Sequence, residues 1–133
     1  MQTTRSTGLL EKGAGVTTRE DGAAAEDRAL AHLLGQGLRL LARNYRTPGR
    51  GGGEIDLIMR ERDGTLVFVE VRQRGGGGFG GAAASVTGLK QRRIAFAARH
   101  YLLRLREPPP CRFDVVSLEG GALQWIRGAF DAA

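Results

Sequence analysis

Residues 54–72 hold two β-rich runs, Glu54-Ile55-Asp56-Leu57-Ile58-Met59 and Thr65-Leu66-Val67-Phe68-Val69-Glu70-Val71-Arg72, joined by the polar stretch Arg60-Glu61-Arg62-Asp63-Gly64. An Asp-Gly pair between two such runs predicts an antiparallel hairpin. With the turn centred on Asp63, Asp56 falls opposite Glu70, and Glu54 falls opposite Arg72. Opposed residues share a face with Cβ atoms roughly 4.5–5.5 Å apart, and like charges there destabilise a sheet. A carboxylate pair set among Ile, Leu, Val and Phe therefore calls for a compensating cation. A divalent metal is the obvious candidate.

The rest of the chain narrows what surrounds that hairpin. At 133 residues it is expected to form one domain with a modest core. A formal net charge of +6, carried mostly by arginine, points to an anionic partner such as nucleic acid, although a basic protein without such a partner has the same composition. The single cysteine, Cys111, excludes an internal disulfide and a cysteine zinc cluster, and a free thiol suits a reducing cytoplasm. No apolar run approaches a membrane span, and the first residues lack a secretory signal pattern, so a soluble cytoplasmic protein with no membrane contact is expected.

Residues 1–21 mix Thr, Gly, Ser and charge without periodicity and read as a disordered tail, which leaves 22–133 as the domain. Ala23 to Leu34 predicts a helix with Leu30, Leu33 and Leu34 as its apolar stripe, stopped by Gly35-Gln36-Gly37. Leu38 to Tyr45 predicts a strand, and residues 47–53 a glycine-rich loop before the hairpin. A second glycine run, Gly75 to Gly78 with Gly80 and Gly81, reads as a mobile linker, since neither run has the spacing of a phosphate-binding loop. A long helix starting near Ser85 or Thr87 ends about Leu105, before Pro108-Pro109-Pro110. Arg112 to Leu118 and Ala122 to Ile126 are the last strands. The order α-β-β-β-α-β-β predicts an α/β fold, one mixed sheet flanked by helices.

Helical phase adds Glu26 and Lys90 to the carboxylate pair, and strand alternation adds Arg72. Glu26 lies four residues before Leu30 and seven before Leu33, on the stripe that faces the sheet. The ordinary alternative is a first-turn acid stabilised by the helix dipole. Lys90 precedes Ile94, Ala97 and Tyr101 on one stripe of the second helix, where a lysine can also pack its stem and leave its ammonium in water. Arg72 shares a face with Glu70 and is equally placed for a cross-strand ion pair with Glu54. Asp27, Arg28 and His32 fall on other faces of the first helix and read as solvated. Carboxylate oxygens suit Mg²⁺ or Mn²⁺, which bind substrate phosphate and keep several waters. The inventory fits phosphodiester hydrolysis, with Glu26, Asp56 and Glu70 as ligands and Arg72 or Lys90 stabilising phosphoryl charge.

The motifs Gly22-Ala23-Ala24-Ala25-Glu26, Asn44-Tyr45-Arg46, Gly53-Glu54-Ile55-Asp56-Leu57-Ile58, Val67-Phe68-Val69-Glu70-Val71-Arg72, Lys90-Gln91 and Arg112-Phe113-Asp114-Val115-Val116 occur in that order. Together they resemble the YraN-like family of predicted endonucleases, over roughly residues 22–130. That family resembles the PD-(D/E)XK nuclease superfamily, especially its Holliday-junction resolvase branch, with a restriction-endonuclease-like fold. By this resemblance Glu26 matches the helical acid, Asp56 the motif aspartate and Glu70 the (D/E) position, while Arg72 stands where the superfamily has lysine. A guanidinium cannot be deprotonated in a protein, so Arg72 cannot act as a general base. Lys90 is placed to supply the missing ammonium.

The resemblance implies a metal-dependent DNA endonuclease, acting on branched or otherwise structured DNA. Junction cleavage would need two sites and hence a homodimer. The alternative is a catalytically silent nucleic-acid-binding module that uses Arg50, Arg92, Arg93 and Arg99 on phosphates. A third reading makes the chain a structural partner in a repair or uptake assembly, with an exposed apolar tail from Trp125 to Phe130 as the contact. DNA is favoured over RNA, because Phe68 and Phe113 lie in strands too apolar to offer stacking platforms.

Overall fold

The computed structural model of the chain describes residues 18–74 and 86–131. In chain order the elements are α1 (Thr18–Gly35), β1 (Arg39–Arg46), β2 (Glu54–Arg60), β3 (Leu66–Arg74), α2 (Gly88–Leu102), β4 (Cys111–Glu119) and β5 (Ala122–Phe130). This is the expected α-β-β-β-α-β-β order, a mixed α/β arrangement consistent with a restriction-endonuclease-like fold. The five strands form one sheet in sequence order. Neighbours are antiparallel except β3 and β4, which run parallel, so α2 is the crossover such a pair requires.

Each helix covers a separate apolar cluster on the sheet. Ile58, Phe68, Phe113 and Val115 pack against Ile94, Ala97 and Ala98 of α2. Leu57, Met59, Val67, Val69 and Val116 pack against Ala25, Ala29 and Leu33 of α1. β2 and β3 are therefore buried on both faces, which is why they read as nearly continuous apolar runs. The hairpin register is the one centred on Asp63: Arg60 pairs with Leu66, Met59 with Val67, Ile58 with Phe68 and Leu57 with Val69.

Several boundaries differ from the sequence reading. α1 begins at Thr18, so residues 18–21, expected in the unstructured tail, are helical; residues 1–17 and the Gly75–Gly81 run lie outside the described residues. Leu34 is 48 % exposed and does not join the α1 stripe; Leu30 and Leu33 do. α2 is capped by Thr87, whose side chain accepts from the Lys90 N–H, and it stops at Leu102 rather than Leu105. Its last turn tightens, with the Arg104 and Leu105 N–H groups donating to the carbonyls of Tyr101 and Leu102.

The largest difference is β5, which continues through Phe130 instead of ending at Ile126. The expected apolar tail is thus a paired edge strand, with Phe130 stacked on Phe113 at 5.1 Å between ring centroids. Gly128, at φ 59°, makes the continuation feasible by bending the strand and donating its N–H to Asp114. None of the described helices is long and apolar enough to cross a membrane.

Candidate active site

The sheet positions Asp56 where three strands meet. On one side the β1–β2 register passes from Arg43↔Leu57 to Tyr45↔Ile55, which sets Asn44 across from Asp56. On the other, the β2–β3 ladder runs as far as Leu57↔Val69, and Asp56 and Glu70 are the next residues of the two strands. Asn44 has φ 54°, the left-handed conformation that asparagine tolerates. Strict alternation breaks at the same point, because Ile55 packs in the α2 cluster while Leu57 packs in the α1 cluster. Beyond Leu57↔Val69 the ladder ends, and the Val71 N–H donates to Asp56 Oδ2 at 2.8 Å instead. This explains why the expected Glu54–Arg72 pair does not form: Glu54 is paired with Arg46 of β1, and no Glu54–Arg72 ion pair occurs among the described residues.

Glu70 is 3 % exposed and takes two cations, Lys90 Nζ at 3.6 Å and Arg72 Nη1 at 3.7 Å, both on Oε2. Its other oxygen, Oε1, is buried without a hydrogen-bond partner, as is Arg72 Nε. Burial first, and then the neighbouring Asp56 carboxylate, push the Glu70 carboxyl up to about 8 despite the cations. Burial and the repulsion between the two carboxylates favour the protonated form of the pair, at Glu70 above all. Asp56 is also raised, chiefly by burial, with the Val71 N–H opposing the shift. The site lies midway along β3, beside the first turn of α2, where the Thr87 cap accepts from the Lys90 N–H.

Glu26 is nearby but occupied. Arg43 Nε lies 3.4 Å from its Oε1, and Arg43 Nη2 also binds Asp27 Oδ1 at 2.6 Å. Burial and then Asp56 raise the Glu26 carboxyl, while hydrogen bonds from Arg43 and Asn44 oppose that rise. Among the described residues no three His, Cys, Asp or Glu side chains are close enough together to form a ready metal cluster. Asp56, Glu70, Arg72 and Lys90 thus come together as expected, whereas Glu26, near enough for Asp56 to raise its carboxyl, is paired with Arg43. Asp27 and Arg28 are exposed, as read, although Asp27 pairs with Arg43 and Arg28 donates to the Gly121 carbonyl at 3.1 Å, whereas His32 is partly buried and packs edge-on to Trp125.

Of the arginines expected to bind nucleic acid, Arg92 and Arg99 are exposed on α2, where they alternate with the exposed Leu89 and Phe96 along its outer face. Arg93 is exposed but committed, its Nε donating to the Gly52 carbonyl at 3.2 Å. Arg50 is exposed in the glycine loop. That loop is docked, because Gly53 lies so close to the Arg93 carbonyl oxygen that a Cβ would collide with it.

The sequence reading missed two arrangements. Arg43, one strand from Asp56, is the cation that holds Glu26; its position beside the Asn44-Tyr45 motif was the available signal. Asp114, with no exposure, accepts from Arg112 Nε at 3.0 Å, Trp125 Nε1 at 2.9 Å and the Gly128 N–H at 2.9 Å. Arg112 also donates to Glu61 at 2.7 Å. The Arg112-Phe113-Asp114 motif is therefore structural: it ties β4 to β5 and to the hairpin.

Residues 25–118 match the model of the family described as "Uncharacterised protein family UPF0102". The chain is 72 % identical over 117 residues to a UPF0102 protein of Acidovorax sp. (strain JS42), covering 88 % of this chain and 89 % of that one. It is 67 % identical over 133 residues to a UPF0102 protein of Paracidovorax citrulli (strain AAC00-1), covering 94 % of this chain and 98 % of the relative. A UPF0102 protein of Methylibium petroleiphilum is 61 % identical over 121 residues, 89 % of this chain and 99 % of its own. With the family matched across its helices and its sheet, the chain belongs to UPF0102.

Proposed function

We propose that the chain is a metal-dependent DNA endonuclease that hydrolyses phosphodiester bonds, with branched or otherwise structured DNA as its substrate class. The observation that carries this reading is the Asp56–Glu70 pair, in which Glu70 is buried, its carboxyl is pushed up by burial and by Asp56, and its Oε1 has no partner. Two adjoining carboxylates with an unsatisfied oxygen match Mg²⁺ or Mn²⁺, which take one or two protein carboxylates and leave other positions to water and substrate phosphate. Asp56 and Glu70 would hold the ion, and Glu26 would reach it through an outer water or after releasing Arg43. When bound, the metal supplies Lewis acidity at the scissile phosphate and a lowered pKa for the attacking water.

The chain's own residues carry the rest. Lys90 and Arg72, both on Glu70, are placed to neutralise charge growing on the phosphoryl oxygens. Arg72 is placed to bind phosphate through its guanidinium donors, which accept no proton. Arg50, Arg92 and Arg99 offer exposed guanidinium groups for backbone phosphates, which position DNA without reading its sequence. The buried Phe68 and Phe113 offer no stacking face, which favours DNA over single-stranded RNA. Homodimerisation would supply a second site for a junction.

The silent-binder alternative draws on Arg72 in the lysine position and on Glu26 being tied to Arg43. Cleavage of labelled linear, nicked, flapped and four-way-junction DNA with Mg²⁺ or Mn²⁺ separates the two. Cleavage that is lost in Asp56→Asn and Glu70→Gln and reduced in Lys90→Ala supports the nuclease. Binding of all substrates with no cleavage in either metal overturns it in favour of the binder.

A further inference from the structure

At the opposite end of the hairpin from Asp56 and Glu70, the register places two arginines directly against each other, Arg39 of β1 opposite Arg60 of β2. Like charges so opposed repel across a sheet, and exposed guanidinium groups are long enough to splay apart. Here both instead border one open cavity of ≈ 670 Å³, together with Arg62 from the turn. Arg62 reaches it because Gly37, at φ 97°, has no side chain: a Cβ there would come within 3.0 Å of the Arg62 guanidinium. The two acids on the rim are engaged elsewhere. Glu61 accepts from Arg112 at 2.7 Å, and Asp63 accepts from the Thr65 N–H at 2.9 Å within its own turn. Among the described residues none of the three guanidinium groups has a carboxylate within salt-bridge distance.

We infer that the cavity between the hairpin turn and the α1–β1 corner is a binding site for a phosphate group, held by Arg39, Arg60 and Arg62. Planar guanidinium forks match tetrahedral phosphate oxygens in pairs, and an anion between Arg39 and Arg60 turns their repulsion into attraction. The site is distinct from the carboxylate pair, since Arg60 lies four residues from Asp56 along β2, about 13 Å away. It does not depend on catalysis. The phosphate can belong to a nucleic-acid backbone or to a small phosphorylated molecule, and the chemistry of recognition is shared.

The test compares the full chain with its Arg39→Gln/Arg60→Gln double variant. Melting temperature is followed as inorganic phosphate replaces chloride at constant ionic strength. Wild type is expected to rise by roughly 5–10 °C as phosphate exceeds its Kd tenfold to a hundredfold. The variant is expected to stay flat, and its phosphate-free melting temperature should be no lower than that of wild type, which also shows that it folds. Equal rises in both proteins would mean general salting of the surface and would overturn the site, as would no rise in wild type. A second arm measures duplex-DNA affinity against salt. A log–log slope shallower by about 0.9 in the variant assigns the phosphate to the DNA backbone. An unchanged slope, with the phosphate response still lost, assigns it to a small phosphorylated ligand.

Discussion

Burial and the Asp56 carboxylate lift Glu70 from 4.5 to about 8, and this has a direct consequence for stability. Below 4.5 the residue is protonated in both folded and unfolded chains. Between 4.5 and about 8 only the folded chain keeps the proton, so stability falls as pH rises through that window and levels off above it. Calorimetric melting in metal-free buffer should show this decline, and Glu70→Gln, which cannot titrate, should flatten it. A Glu70→Gln protein with the wild-type pH dependence would contradict the assignment. Asp114 is the contrasting buried acid, with every neighbour a donor. Its replacement by alanine should cost about 3–5 kcal/mol in chemical denaturation, because the Trp125 Nε1–H and Gly128 N–H would lose their acceptor and Arg112 would keep only Glu61. The sequence made Glu70 legible through its symmetry with Asp56. Asp114 was quoted only as part of a motif, because its partners, Trp125 and Gly128, sit on a different strand and depend on a register that local pattern does not encode.

Among the elements, the β2–β3 hairpin was readable because its period, its Asp-Gly turn and its length all specify one register. The same pattern could not show where pairing stops. Beyond Leu57↔Val69 the Asp56 side chain replaces a ladder partner for Val71, and this removed the anticipated Glu54–Arg72 pair. β5 was expected to end at Ile126, but it runs on to Phe130 with the Gly128 N–H donated to Asp114, a partner on another strand that local pattern does not show. The loop between β1 and β2 shows the reverse, a glycine-rich stretch that reads as flexible but is fastened. The Gly53 N–H donates to Thr47 Oγ1 at 2.8 Å, and the Thr47 N–H returns a bond to the Gly53 carbonyl at 3.0 Å. Gly53 also lets the start of β2 lie against the backbone of α2 at Arg93. Gly53→Ala should therefore destabilise the protein by about 1–3 kcal/mol through overpacking. It should also displace Asp56, three residues on, relative to Lys90. A melting temperature and pH profile unchanged by Gly53→Ala would show that the contact is not needed.

For the whole molecule, the element order and the mixed sheet followed from hydrophobic periodicity. The convergence of Asp56, Glu70, Arg72 and Lys90 followed from helical phase added to hairpin symmetry. What did not follow was Glu26, whose inward phase was read correctly but whose partner, Arg43, comes from the neighbouring strand. Arg39 against Arg60 was also invisible, since it requires the β1–β2 register and the bulge at Leu41 that sets it. A basic chain can gather charge of both signs into separate sites, acids at one end of the hairpin and arginines at the other. The account's central claim concerns the acidic end. The most direct test is the melting temperature of the full chain at pH 7.5 as Mn²⁺ or Mg²⁺ is raised from zero, beside Asp56→Asn and Glu70→Gln. Wild type should gain about 2.7 kcal/mol, a rise on the order of 10 °C, once metal reaches a hundredfold excess over its Kd, and both variants should lose most of that gain. Identical curves for wild type and both variants would contradict a metal site at the carboxylate pair.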